Sequence, residues 1–205
     1  KITKGVIMAR KFQLFLQGGR VQNYLGSQYN SIDKEFQQLI NTKPEELKEA
    51  KGYFIGELVR KYQVPRLHMK WNKEEGMETE FVQMPFKEKE KKGYSTFIQY
   101  KIPIDGDVNL FQFRTWHKCL PEYKLTAFVD LKPRMLTIEI DDVYKGSKKL
   151  PVVKLKEMKI QAAKRIHFIK KMVSYINGFV DMYNKSLIQV TIELYEKNCQ
   201  TVLGK

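Results

Sequence analysis

Cysteine is scarce. Cys119 and Cys199 are the only two, too few for a disulfide framework or a cysteine zinc site. A reducing, cytoplasmic setting is the expectation. No apolar run comes near the ~18 residues that a membrane span requires, so no membrane partner is expected. Residues 1–11 lack an apolar signal core and a small-residue cleavage site. A phosphate-loop lysine motif, a dinucleotide glycine fingerprint and a serine elbow are also missing. Histidine is limited to His68, His117 and His167, which share no metal-ligand spacing. No metal and no cofactor is therefore expected.

Positive charge is what the chain has in excess. Across 205 residues, room for one domain or two small ones, the formal net charge is +14. Hydrophobic residues at 42% and charged residues at 29% suit a folded globular chain. So basic a balance points to nucleic acid, an anionic surface or an acidic partner. Lysine far outnumbers arginine, and an ammonium is a point charge without the planar fork of a guanidinium. Between residues 145 and 171 the bases crowd together and Glu157 is the only acid. Lys156, Lys159, Lys164, Lys170 and Lys171 are the candidate nucleic-acid contacts there. The competing reading is a helix face that water solvates.

Periodicity divides the chain into three. Residues 6–16 suit a strand or a short helix, closed by Gly18-Gly19. Ser31 then offers a helix cap ahead of Ile32, Phe36, Leu39 and Ile40. Thr42 and Glu45 have capping-box spacing around Pro44, and Val64-Pro65 stops the next helix, so helices are expected over about 31–62. From 66 to 141 the alternation shifts to period two. Strands are expected at 66–71, 78–84, 94–104, 108–114, 123–130 and 134–141, with turns at Glu75-Gly76, Lys91-Lys92-Gly93, Asp105-Gly106 and Lys132-Pro133. Short connections favour antiparallel order. The fold class is thus α+β: N-terminal helices, a central antiparallel sheet of about six strands and a long C-terminal amphipathic helix. Residues 1–150 would form the α+β domain and 151–205 the helix.

That helix draws on one unbroken 3.6-residue period over 155–199. Its apolar arc is about 120° wide with lysines opposite. Asn177-Gly178 and Asn184 weaken it and could kink it. At ~1.5 Å per residue it would run ~65 Å, well beyond a sheet spaced at ~4.8 Å per strand. The overhang would need cover from another copy or another protein. Ile176, Phe179, Tyr183, Leu187 and Val190, at near-heptad intervals, are the candidate interface. Cover by the N-terminal helices is the alternative. The leading functional expectation is a non-catalytic interaction and assembly module, a homo-oligomer or a docking partner, working through this helix. Nucleic-acid binding is the second.

A third reading is a metal-dependent nuclease. Asp107 followed by Glu122-Tyr123-Lys124 has the acid–(acid-x-lysine) form, in which two carboxylates hold magnesium and a lysine assists the attacking water. Such triplets arise readily in lysine-rich chains. Trp116-His117-Lys118-Cys119 has the look of a catalytic loop, but a cysteine nucleophile and its histidine usually come from distant sequence. Phe97, Tyr100, Phe111 and Phe113 could stack on bases, although sheet aromatics more often belong to a core.

The stretch Ile102-Pro103-Ile104-Asp105-Gly106-Asp107-Val108-Asn109-Leu110-Phe111-Gln112-Phe113-Arg114 resembles a pattern in a set of uncharacterised bacterial proteins. There a strand ends in Ile-Pro, a Gly-Asp turn follows, and Leu-Phe and an arginine come next. An alternating strand, here residues 136–141, and a long helix, here with Tyr175-Ile176-Asn177 and Tyr183-Asn184-Lys185-Ser186-Leu187, are similar as well. Thr115 stands where that set usually has proline. The resemblance implies a strand-turn unit followed by a long helix, with no established activity. It also implies a piece of a larger bacterial protein, since members continue past the helix.

Overall fold

A computed structural model describes residues 10–15, 19–71, 78–88, 91–115, 126–130, 134–146 and 151–203. The chain begins with strand β1 (Arg10–Gln13) and helices α1 (Val21–Thr42), α2 (Pro44–Glu49) and α3 (Lys51–Tyr62). Strands β2 (His68–Met69), β3 (Glu78–Glu88), β4 (Lys91–Asp105), β5 (Thr126–Asp130) and β6 (Met135–Gly146) follow. Helix α4 (Val152–Leu203) closes the described chain. The architecture is α+β: helices, an antiparallel sheet and a long C-terminal helix.

Three long strands make the body of the sheet, where about six had been expected. β3 and β6 flank β4, while β1, β2 and β5 are short pieces toward the edges. Cross-strand pairs set the inner face. Tyr100 lies opposite Ile138, and Ile102 opposite Leu136, which also faces Val129. All five are buried. Strand alternation brings such a row to one side, where apolar contact stabilises it.

The expected strand over 108–114 is instead a 3-10 helix, Val108–Gln112. Gly106 turns the chain with φ 88°, and the Asp107 side chain then caps the turn by accepting the Asn109 backbone N–H. Leu110 and Phe111 are consecutive and both fully buried, which an alternating strand cannot achieve. Helix α1 also departs from expectation by starting ten residues before Ser31. Ser31 sits in its interior and its hydroxyl donates to the Ser27 carbonyl. The Thr42–Glu45 capping box does not form. The Thr42 hydroxyl donates back to Gln38, ending α1, while Pro44 opens α2 at its first turn. Val64-Pro65 does end the helical region, with α3 stopping at Tyr62.

α4 is one continuous helix of 52 residues, or ~78 Å at ~1.5 Å per residue. Its apolar stripe does outrun the sheet, but this chain covers the overhang itself. Tyr29 packs on Tyr183 and Phe36 on Tyr195, so α1 runs parallel to the second half of α4. α3 runs antiparallel on another flank, where Tyr183 donates to the Tyr62 carbonyl and Lys51 pairs with Glu196. Nearer its start α4 meets the sheet domain, with Phe168 edge-on to Phe15 and Met172 beside Thr115. One apolar cluster runs through all of these elements.

Candidate nucleic-acid interface

The outer face of α4 carries the charge. Lys156, Lys159, Lys164, His167 and Lys171 are exposed, and no acid occurs between Glu157 and Asp181. Glu157 is itself engaged by Lys154 at 3.1 Å. The lysines follow the 3.6-residue period on the side away from Met158, Ala162, Ile169, Met172 and Ile176, all buried. From Lys156 to Lys171 the row spans ~22 Å at ~1.5 Å per residue. Lys170 differs from its neighbours. Its Nζ lies 3.9 Å from the centroid of the half-buried Trp71 ring, a cation–π contact that fixes its position. Arg165, in the middle of the basic run by sequence, turns inward and is only 8% exposed.

Past the C-terminal end of this row, residues 63–71 form an extended strap between α3 and the sheet. It is held to α4 by side chains at heptad intervals. Asn184 Oδ1 accepts the Val64 N–H at 3.1 Å and its Nδ2 donates to the Val64 carbonyl at 2.8 Å. Asn177 treats Leu67 in the same way, at 2.9 and 2.8 Å. The match is geometric. Seven helical residues rise ~10.5 Å and three extended residues span ~10 Å, so two asparagines one heptad apart meet backbone groups three residues apart. Lys170 over Trp71 continues the line, and the strap runs antiparallel to α4. Asn177 and Asn184 are therefore clamps, where the sequence suggested weak points and a kink. Their seven-residue interval was the available signal.

The expected interface residues are inside the protein. Ile176 and Leu187 are fully buried and Tyr183 is 4% exposed, while Phe179 and Val190 are half-buried. α1, α3 and the strap cover this stripe. Within this chain the cover comes from the N-terminal helices, the alternative considered above. Each Leu or Ile so buried contributes ~1.5–3 kcal/mol to this chain's own fold.

Of the nuclease constellation only Asp107 is described; Glu122 and Lys124 lie outside the described residues, as does the segment 116–119. The Asp107 carboxylate accepts the Asn109 backbone N–H and side-chain N–H, both at 3.0 Å, and the Tyr24 hydroxyl at 2.9 Å. These bonds give it a capping role. Tyr24 stacks on Phe113 at 4.5 Å, and its hydroxyl is pushed up to about 12 by burial and then by the Asp107 charge. No cluster of three or more metal-ligating side chains occurs among the described residues. Tyr100 and Phe111 are buried and Phe113 is taken up by Tyr24, so these aromatics offer no open stacking platform. The Phe97 side chain lies outside the described set. No helix among the described residues is long and apolar enough to cross a membrane.

Compared with protein-family models, curated proteins and solved structures, the chain finds no match.

Proposed function

We propose that this chain is a non-catalytic nucleic-acid-binding module, and that the lysine row of α4 contacts the phosphate backbone. The observation that supports it is the run of exposed Lys156, Lys159, Lys164 and Lys171 with no carboxylate from 158 to 180. A duplex presents one phosphate charge per ~1.7 Å of axis, so a ~22 Å row faces on the order of a dozen of them. Solvated ammonium groups suit such contacts, which carry no sequence information.

Four phosphate contacts imply a slope of about −4 in log affinity against log salt for duplex DNA. Fluorescence anisotropy with a labelled duplex of arbitrary sequence measures that slope. Replacing Lys156, Lys159, Lys164 and Lys171 by Gln should abolish the binding and leave the thermal midpoint in place, since all four are exposed. Absence of binding at ~50 mM salt, or affinity indifferent to the four replacements, overturns the proposal.

A further inference from the structure

Phosphate contacts account for the lysines of α4 but not for the aliphatic side chains among them. Val152, Val153 and Ile160 are 81%, 71% and 48% exposed. None of residues 152–157 is buried, so the start of α4 stands clear until Met158, and from there the protein covers the side of Met158 and Ala162. At ~100° per residue, Val153 lies within ~20° of Ile160, Lys156 ~40° to one side of it and Lys164 ~40° to the other, with Lys159 farther round on the Lys156 side. All three lysines are exposed. Glu157, on the Lys164 side, is taken up by Lys154. The open face is therefore an aliphatic line with ammonium groups along both of its edges.

We infer that this part of α4 seats in the major groove of duplex DNA, with Val153 and Ile160 against base edges, thymine methyl groups among them, and the lysines on the bordering phosphates. The inference rests on the nucleic-acid reading above and narrows it to B-form DNA. A helix with its side chains is ~10–12 Å across, and the major groove is ~12 Å wide. Val153 and Ile160 stand ~10.5 Å apart along the axis, about three base steps of ~3.4 Å. The thymine methyl is the apolar group that this groove offers to an aliphatic side chain. RNA lacks that methyl, and the A-form major groove is too deep and narrow for side chains to read. A membrane surface suits the face less well. An interfacial helix sinks one wide apolar side into the lipid, and that side of α4 is buried within this protein.

The test uses three duplexes of one A·T-rich sequence: DNA, the same DNA with deoxyuridine in place of thymidine, and RNA. The first two differ only by methyl groups. The unmodified protein should bind the thymine duplex best, lose about four-fold in affinity for each contacted methyl removed, and bind the RNA least. Val153→Ala/Ile160→Ala should erase the difference between the first two. Its salt slope, set by the lysines, should stay near about −4, and its thermal midpoint should hold because both side chains are exposed. Equal affinity for the thymine and uracil duplexes, with the lysine replacements still abolishing binding, overturns the inference and leaves the phosphate reading standing. RNA bound as tightly as DNA does the same. Binding to phosphatidylserine vesicles that the aliphatic replacements weaken, with duplex affinity unmoved, assigns the face to lipid and also overturns the inference. No binding of any duplex by the unmodified protein removes the reading beneath it.

Discussion

Replacing Asn177 with Ala should cost far more than its distance from any charged surface suggests. The amide is 8% exposed and makes two hydrogen bonds to one peptide unit pair, at 2.9 Å to the Leu67 N–H and 2.8 Å to its carbonyl. Truncation removes both bonds and strands both backbone groups where water does not reach. A net hydrogen bond is worth ~0.5–1.5 kcal/mol, and an unsatisfied buried group costs ~1–3 kcal/mol, so the total falls at roughly 2–5 kcal/mol. Asn184, half-buried with the same geometry, leaves its partners open to water and should cost about 1–2 kcal/mol when truncated. The double variant should lose less than the sum, because a detached strap leaves the second clamp nothing to hold. Urea unfolding followed by circular dichroism gives the free energies, and hydrogen exchange at the Leu67 amide reports the clamp directly. Asn177→Asp separates the two halves: it keeps the acceptor and sets a second oxygen against the Leu67 carbonyl. A loss below ~0.5 kcal/mol for Asn177→Ala, with the Leu67 amide as protected as before, would refute the clamp.

Other outcomes follow from backbone and titration. Gly56→Ala and Gly178→Ala should each stabilise by ~1 kcal/mol in the same unfolding assay, because both sites are helical and a Cβ there meets nothing within 4 Å; destabilisation at either would mean that something packs against that face. Gly106→Ala should do the opposite and lower the thermal midpoint by several degrees. Its φ of 88° disfavours a side chain and a Cβ would overlap the Arg66 carbonyl oxygen, so the strap would have to shift. Stability should also fall as pH rises from 10 toward 12. The Tyr24 and Tyr62 hydroxyls, ordinarily at 10.0, are both pushed up to about 12, by burial first and then by Asp107 and Glu35. The folded state keeps protons that the unfolded chain releases, so this stabilisation is complete below pH 10 and is lost through the folded values. Tyr24→Phe and Tyr62→Phe should flatten the alkaline decline of the urea midpoint; a decline of unchanged steepness would count against both hydroxyl–carboxylate bonds.

Parts of this fold were legible because they depend on neighbours in sequence. α4 keeps one apolar phase over its whole length, and that phase outweighs the weak helix formers Asn177, Gly178 and Asn184. The period-two alternation read over 94–104 and 134–141 puts Tyr100, Ile102 and Ile104, with Leu136 and Ile138, on the buried face of the sheet. Arg165 was legible too: its angle on the helical wheel matches Met158 and Ile169 and sets it apart from the outer lysines. The start of α1 was harder. Val21, Leu25, Ile32, Phe36 and Ile40 share a face, but Asn23, Gly26, Ser27 and Asn30 between them are turn formers by propensity, and burial overrides that preference.

What sequence could not supply is the partner of each polar residue on α4. Asn177 and Asn184 lower helix propensity, and by local rules they mark a place where the helix could bend. Their partners lie 110 and 120 residues earlier, in a segment whose backbone has no strand to pair with over most of its length. A buried extended segment must satisfy its N–H and C=O groups somewhere, and here the amides of α4 satisfy two of its residues. That necessity also sets the strap's outward bases beside residues 170–181 of α4, past the end of its lysine row. Both clamps are consequences of one register: shift α4 by a single residue and the amides rotate by ~100° and leave the strap together.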